Sequence, residues 1–397
     1  MNADKSKNTS PQTAAVLTSI AFSLSNFRGP LIQAMVDAGV KVFALAPDYD
    51  ADTRAAVLRL GAIPIDVSLD RTGLHPLRDL LDSISLYRTL RRLKPDLMFS
   101  YFIKPVIYGS IAAKFAGVRH RYALVAGLGY IFATDGSADD FKRRILRLVA
   151  SGLYRVAFAA CDRVFFQNSD DVREFVNGRI LPADKVRLLE GTGVDLQAYP
   201  ATPPLASPPT FLLMGRLLRE KGIVEFANAA KAVRSVYPAT RFVLLGGLDP
   251  NPGGLSKVEV EQMAIECGME WLGHVNDVKP YIAACSVYVL PSYYREGKPR
   301  STQEAMAFGR AIITTDAPGC RDTVIPDVNG FLVPVRDPGA LAQAMFRFLE
   351  KPELIQRMGR ESRRLAEERY DVHQINRAIL GEFGIGQSSP SIAKSLP

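Results

Sequence analysis

Two glutamates, Glu296 and Glu304, stand eight positions apart on either side of Gly297-Lys298-Pro299-Arg300-Ser301. A strand reading ends at Pro291, Gly297 and Pro299 interrupt the chain, and a helix starts near Ser301. Glu296 then falls in a loop and Glu304 in the first helical turn. Amides around Lys298–Thr302 face any anion ahead of that helix. Two carboxylates beside such a cradle can accept hydrogen bonds from sugar hydroxyls. The blander reading is a first-turn glutamate that complements the helix dipole. A second loop carries the opposite charge: Met214-Gly215-Arg216-Leu217-Leu218-Arg219-Glu220-Lys221-Gly222 sets Arg216 and Lys221 five positions apart, with Gly222 at the start of a helix. Two cations and a helix amino terminus suit a diphosphate. Taken alone, the pair also fits a surface loop with solvated charges.

Other chemistries are poorly represented. The four histidines (His75, His120, His274, His373) are scattered and form no HExxH pair, and the four cysteines (Cys161, Cys267, Cys285, Cys320) form no CxxC. Zinc ribbons and disulfide scaffolds are excluded, and a reducing, intracellular compartment is expected. The first strand is followed by Ser23 to Pro30, which holds one glycine, Gly29, and no GxGxxG, against a dinucleotide oxidoreductase. Gly29 next to Pro30 can bring backbone near a phosphate or make a plain tight turn. Asp48-Tyr49-Asp50 reads as a solvated turn, away from the phosphate loop.

These residues need a frame. Short apolar runs alternate with helical stretches: strands over 15–21, 41–46, 64–67, 96–101, 122–126 and 163–167, helices over 30–38, 76–93 and 107–115. The alternation restarts with strands over 211–214, 241–245, 287–290 and 311–315 and helices over 223–236, 277–285 and 301–308. Such alternation means parallel sheets built from βαβ units. Five prolines between Pro200 and Pro209 read as a linker. The expected organisation is an α/β chain of two Rossmann-like domains: 1–199, a linker 200–210, 211–371, a helix 372–385 crossing back to the first domain, and a disordered tail 386–397.

Hydrophobic residues make up 47% of the 397 and charged residues 23%, near globular averages, so bulk disorder and coiled coil are excluded. No apolar run reaches 18 residues, and Ala14–Leu24 after Lys5 and Lys7 reads as a buried strand rather than a signal peptide. The net charge of +8 is concentrated: residues 88–147 hold 12 Lys/Arg against four Asp. Within and beyond that stretch, Ile145, Leu148, Val149 and Val156 recur at helical spacing among Lys142, Arg143, Arg144, Arg147 and Arg155. Such a helix can lie on an anionic membrane, or it can pack with a solvated charged face. No recognition-helix or aromatic-interleaved pattern accompanies the charge, so no nucleic-acid partner is expected.

The chain resembles the retaining glycosyltransferases of family 4, with the GT-B fold. The likeness rests on Gly215-Arg216 with Lys221-Gly222, Leu245-Gly246-Gly247, Gly273-His274-Val275-Asn276-Asp277-Val278, Leu290-Pro291-Ser292, Glu296 with Glu304-Ala305-Met306-Ala307, and Asn329-Gly330-Phe331-Leu332-Val333-Pro334. Asn26-Phe27-Arg28-Gly29-Pro30, Phe99 to Pro105 and Ala126 to Tyr130 look like bacterial members that extend lipid-linked saccharides. The resemblance implies two domains facing a cleft, the first binding acceptor and the second the nucleotide sugar. It implies a metal-independent hexosyltransferase without cofactor. Sugar would move from a nucleotide-diphosphate sugar, commonly a UDP-sugar, to a polyprenyl-diphosphate-linked saccharide in cell-surface polysaccharide assembly. The enzyme would sit peripherally on the inner face of the plasma membrane. The implied catalytic set is Arg216, Lys221 and Glu296. Arg216 and Lys221 would neutralise the diphosphate, Glu304 hold the ribose, and Glu296 face the donor sugar. Gly215, Gly297, Lys298, Pro299, Arg300 and Ser301 would line the donor site, with Gly29 closing on the diphosphate. Lys104, Lys142, Arg143, Arg144 and Arg147 would mark the membrane and acceptor side. A first-domain catalytic histidine, common in the family, has no match at His75 or His120. The alternative is a sugar-nucleotide epimerase of the same fold, which would need an acid/base pair this histidine-poor sequence does not show.

Overall fold

The computed structural model describes residues 10–69, 75–129, 132, 140–204, 207–251 and 253–386, with backbone alone for 140–143. The chain forms two compact units, 1–189 with 373–397, and 190–372. The expected tail lies, from residue 387, outside the described residues.

The first unit runs β1 (Thr13–Leu17), α1 (Phe22–Asn26), α2 (Gly29–Asp37), β2 (Lys41–Ala46), α3 (Ala51–Arg59), β3 (Ile63–Asp66), α4 (Pro76–Leu93) and β4 (Leu97–Tyr101). A π-turn over Pro105–Gly109 leads into α5 (Ser110–Ala116), then β5 (His120–Val125), α6 (Asp140–Ala160), β6 (Arg163–Phe166), α7 (Ser169–Asn177) and β7 (Val186–Leu188). Its strands are all parallel, in the order β3-β2-β1-β4-β5-β6-β7. The central strands are buried and mostly apolar because helices cover both faces: every residue of β4 is buried, as are Ala14–Leu17 of β1.

The second unit runs β8 (Thr210–Met214), α8 (Ile223–Arg234), β9 (Arg241–Leu245), α9 (Lys257–Cys267), β10 (Glu270–Trp271), α10 (Lys279–Ala283), β11 (Val287–Leu290), α11 (Arg300–Ala307), β12 (Ala311–Thr315), β13 (Gly330–Val333), α12 (Pro338–Glu350) and α13 (Glu353–Arg369). Its sheet is also parallel, ordered β10-β9-β8-β11-β12-β13. Helix starts are marked chemically: Asp50 and Ser256 each form a reciprocal capping box, and Asn168 and Asp337 cap α7 and α12.

The division between units falls at Leu189/Glu190, not at the prolines. The 200–204 segment is strapped to the second unit: the Thr202 amide donates to Phe308 O at 3.2 Å, and the Thr202 hydroxyl meets the buried Arg310 guanidinium. Prolines leave such a strap with few donors to satisfy. The last helix, α14 (Val372–Phe383), returns to the first unit as expected. Ile375, Ile379 and Phe383 enter the core formed by Val16, Phe99 and Phe165. Phe383 packs tilted against Tyr122 with centroids 4.6 Å apart, the Tyr122 hydroxyl donates to Glu382 O at 2.6 Å, and Arg187 pairs with the Glu382 carboxylate at 2.6 Å.

Phe383→Ala should therefore destabilise the first unit by about 3–5 kcal/mol, the cost of emptying a fully packed aromatic site. Urea unfolding of wild type and variant measures this; a difference below about 1 kcal/mol would mean that α14 is not integral to that core.

Candidate active site

In each sheet the strand order reverses once, between β1 and β4 and between β8 and β11. Loops leaving the carboxyl ends of the strands at such a reversal diverge and leave a crevice, where ligands of open α/β sheets collect. The loop after β8 is 215–222 and the loop after β11 is 291–299. Both contain the sequence-predicted residues.

Backbone contacts fix the first loop. Gly215 N donates to Leu245 O at 3.0 Å and Leu217 N to Gly247 O at 3.1 Å, tying it to the end of β9. Gly222, at φ +77, caps α8 so close to the second loop that a Cβ there would lie 2.1 Å from Pro291 O. Only glycine fits this approach. The Glu220 carbonyl then accepts from Tyr293 N (2.9 Å), Tyr294 N (3.1 Å) and the Ser292 hydroxyl (3.2 Å), so the two loops are stitched together.

The stitching brings three predicted residues together. The Lys221 ammonium binds the Glu296 carboxylate, with side chains only 13% and 12% exposed, and the Ser292 hydroxyl shares its proton between the Glu220 carbonyl and the same carboxylate oxygen, 3.2 Å away. The Tyr294 ring lies beside both cations, 5.8 Å from the Arg216 guanidinium and 5.5 Å from the Lys221 ammonium. Arg216 also pairs with Asp249 at 2.9 Å. Burial of Asp249 opposes its ionisation, but the Asn251 amide and the Arg216 guanidinium outweigh it and hold the carboxyl below its usual range.

The helix that follows the second loop begins at Arg300, behind Pro299, with no side-chain cap. Ser301 and Thr302 therefore present first-turn amides that helix geometry leaves without carbonyl partners. The Tyr288 hydroxyl donates to Ser301 Oγ at 2.7 Å. A Cβ on Gly319 would lie 1.8 Å from Gly297 O, so the loop after β12 also packs backbone to backbone on this segment. Glu304 is the fifth residue of α11, just past the first turn, because the helix starts one residue earlier than the pattern suggested. Its Oε1 accepts from Arg300 Nε at 2.9 Å and from the Tyr199 hydroxyl at 3.0 Å.

Two predicted cations point elsewhere. Lys298 is buried, its ammonium bound to Glu190 and 6.0 Å from the centre of the Tyr370 ring. Lys104 is turned inward onto Asp79 at 2.8 Å, where the Tyr108 hydroxyl also donates at 3.1 Å. Gly29 is the first residue of α2 in the first unit, and a Cβ there would make only ordinary contact with Leu60, 3.7 Å away. On α6, Arg144 is exposed and Arg147 binds Glu174, whereas the side chains of Lys142 and Arg143 lie outside the described residues. Asp48 and Asp50 serve the backbone: Asp48 accepts from Ala21 N at 2.6 Å and Asp50 caps α3. Among the described residues no three His, Cys, Asp or Glu side chains gather as a metal site.

Sequence reading missed Tyr294, Asp249, Tyr199 and Glu190. Tyr294 is two residues from Glu296, and Asp249 follows Gly246-Gly247 at a strand end, so position offered a signal for both. Tyr199 and Glu190 sit 105 and 108 residues from their partners, and no local pattern announces them.

The Glycosyl transferases group 1 family profile matches residues 200–365, and the Glycosyltransferase Family 4 profile matches residues 31–198. The chain belongs to the family 4 glycosyltransferases. It is 28% identical over 345 residues to the N,N'-diacetylbacillosaminyl-diphospho-undecaprenol alpha-1,3-N-acetylgalactosaminyltransferase of Campylobacter jejuni, covering 84% of this chain and 88% of that one. It is 25% identical over 344 residues to the UDP-Gal:alpha-D-GlcNAc-diphosphoundecaprenol alpha-1,3-galactosyltransferase of Escherichia coli, covering 80% and 85%. The solved structure of Anabaena HepE with UDP and glucose shares the fold, with a TM-score of 0.74 at 19% identity over 94% of this chain and 99% of that one. The GT-B architecture expected from sequence is thus the architecture of this glycosyltransferase.

The Arg216–Asp249 pair in the enzyme has a pH signature. Because the Asp249 carboxyl titrates lower in the folded state, its stabilising contribution is full above the ordinary Asp value of about 3.9. It is lost as pH falls from there through the depressed folded value. Asp249→Asn should thus be less stable than wild type at neutral pH, and the gap should close at acid pH. Chemical denaturation at several pH values measures it; a gap that persists unchanged into acid would remove the ionised carboxylate from the interaction.

Proposed function

We propose that this glycosyltransferase is a retaining enzyme that moves a sugar from a UDP-sugar to a saccharide carried on a polyprenyl diphosphate, at an anionic membrane surface. The observation that carries the reading is the grouping of Arg216, Lys221, Glu296 and the uncapped start of α11 at the β8/β11 reversal. Breaking the bond between the sugar and the diphosphate leaves an oxocarbenium-like sugar and a growing negative charge on the phosphate oxygen. Arg216, Lys221 and the Ser301 and Thr302 amides are grouped where they can receive that charge. Lys221 would pass from the Glu296 carboxylate towards the diphosphate as donor binds, which frees Glu296 to accept from donor-sugar hydroxyls. Glu304, with Oε1 held by Arg300 and Tyr199, keeps its second oxygen for the ribose. In retention, the departing phosphate oxygen takes the acceptor proton on the same face, so no side-chain base is required.

Support for the acceptor comes from the two relatives above, each named for a saccharide on diphospho-undecaprenol and each forming an alpha linkage. Among the described residues no helix is long and apolar enough to cross a membrane, so contact with a lipid-borne substrate at the inner face of the plasma membrane would be peripheral. Arg144 on α6 supplies positive charge for that contact.

The test is transfer itself. With UDP-sugars and an undecaprenyl-diphosphate saccharide, UDP release should depend on acceptor and the product should carry an alpha linkage. Arg216→Ala should lower kcat by about 10²–10³, the usual loss of one preorganised donor. Conversion of donor without any acceptor would favour the epimerase alternative, and an inverted product would overturn retention.

A further inference from the structure

The first two turns of α4 are built inside out. Asp79 and Asp82 face the protein, 2% and 3% exposed. Asp79 binds Lys104 and Tyr108, and Asp82 accepts from the Ser68 hydroxyl. The apolar residues face outward: Leu77 is 80% exposed, Leu80 57%, Leu81 65% and Ile84 39%. Their spacing of i, i+3, i+4, i+7 makes one stripe. Burying two carboxylates while presenting four aliphatic side chains to water reverses what water selects. The inversion stops where α4 reaches the sheet: Leu86 and Leu90 are buried, and Arg88, Arg91 and Arg92 are exposed.

Helix α6 also presents apolar side chains outward, here in addition to a normally packed inner face. Its inner face buries Ala150, Tyr154, Ala157 and Phe158, while Ile145, Leu148, Val149 and Val156 stand 49–75% exposed on the other side. These four are the residues that the sequence pattern left open between core and membrane. Helices α4 and α6 flank the π-turn and α5 on one face of the first sheet. In a parallel sheet each such helix starts at the carboxyl edge of the strands, the edge where ligands are handled. The charge around these stripes has one sign. Among the described side chains of α4, α5 and α6, the exposed charges are all Lys or Arg, and the two carboxylates are the buried ones.

We propose that the outer faces of α4 and α6 form a single lipid-docking surface, in which the Leu77–Ile84 stripe enters the acyl region of an anionic leaflet. Arg144 meets the headgroups. The inference rests on the membrane part of the function proposed above and assigns the inserted element. The buried Asp79–Lys104 pair fixes α4 in its inverted orientation, so the leucines cannot turn inward without exposing that pair's partners.

All four native cysteines are buried, so a single introduced cysteine can be labelled selectively. Full-length Leu81→Cys, carrying an environment-sensitive fluorophore, is mixed with vesicles of phosphatidylcholine containing about 30% phosphatidylglycerol. The same label on Ile265→Cys, in the second unit, serves as reference. The expected result is a blue shift and a several-fold rise in emission at position 81 only, quenched by nitroxides on the acyl chain. Leu80→Ser with Leu81→Ser should weaken vesicle binding about tenfold and leave transfer to a water-soluble acceptor analogue unchanged. Vesicle binding by sedimentation without any change at position 81 would overturn the insertion of α4 and leave surface attraction standing. Emission that rises with protein concentration without vesicles would assign the stripe to a second copy of the chain instead. Absence of vesicle binding would overturn both the docking surface and the membrane reading beneath it.

Discussion

The contact between Lys221 and Glu296 is the constraint around which the second unit is arranged. Two oppositely charged side chains taken largely out of water lose hydration that their mutual attraction recovers only in good geometry. That geometry is supplied by the backbone. The chain must leave β8 and β11 side by side, Gly222 must have no Cβ, and the Glu220 carbonyl must hold the next loop. The first of these conditions follows from the strand order, and the other two are local. The hydration lost by both groups is an incentive to trade this contact for a ligand that binds each of them. A diphosphate for the lysine and sugar hydroxyls for the glutamate are the partners such a pair could exchange for each other.

Much of this frame was legible in the sequence. Strands β2, β9, β11 and β12 fall on the expected residues because each is a short apolar run closed by Gly, Pro or a polar turn. The return of α14 was legible too, from a periodic stretch after the second domain had closed. Three short strands were not. Strands β7, β10 and β13 are only two to four residues long, too short to show a clear apolar run. Helices α3, α9, α12 and α13 were also missed. In α3 and α9 few residues are buried, so the 3.6-residue period is faint, and capping chemistry at Asp50 and Ser256 was the clearer signal.

The site shows the same division. Arg216, Lys221 and Glu296 lie together because they flank strand ends, where topology gathers side chains. The direction of Lys298 and Lys104 could not be read from sequence, because a lysine's direction is decided by its counter-charge. Glu190 lies 108 residues from the first and Asp79 lies 25 from the second. Periodicity likewise finds a stripe without saying which side faces the core. The α4 pattern of alternating leucines and aspartates predicts a helix of either orientation; only the Asp79–Lys104 pair settles it.

Binding of a nucleoside diphosphate where Arg216 and Lys221 meet is the claim on which the rest turns. Thermal unfolding of wild type and the Arg216→Ala, Lys221→Ala double variant with UDP, GDP and ADP tests it most directly. A ligand at a hundred times its dissociation constant adds about 2.7 kcal/mol to the native state. One nucleotide should raise the wild-type midpoint by several degrees and leave the double variant unmoved. An equal rise in both proteins would place the diphosphate elsewhere, and no rise in wild type with any of the three would contradict a preformed donor site.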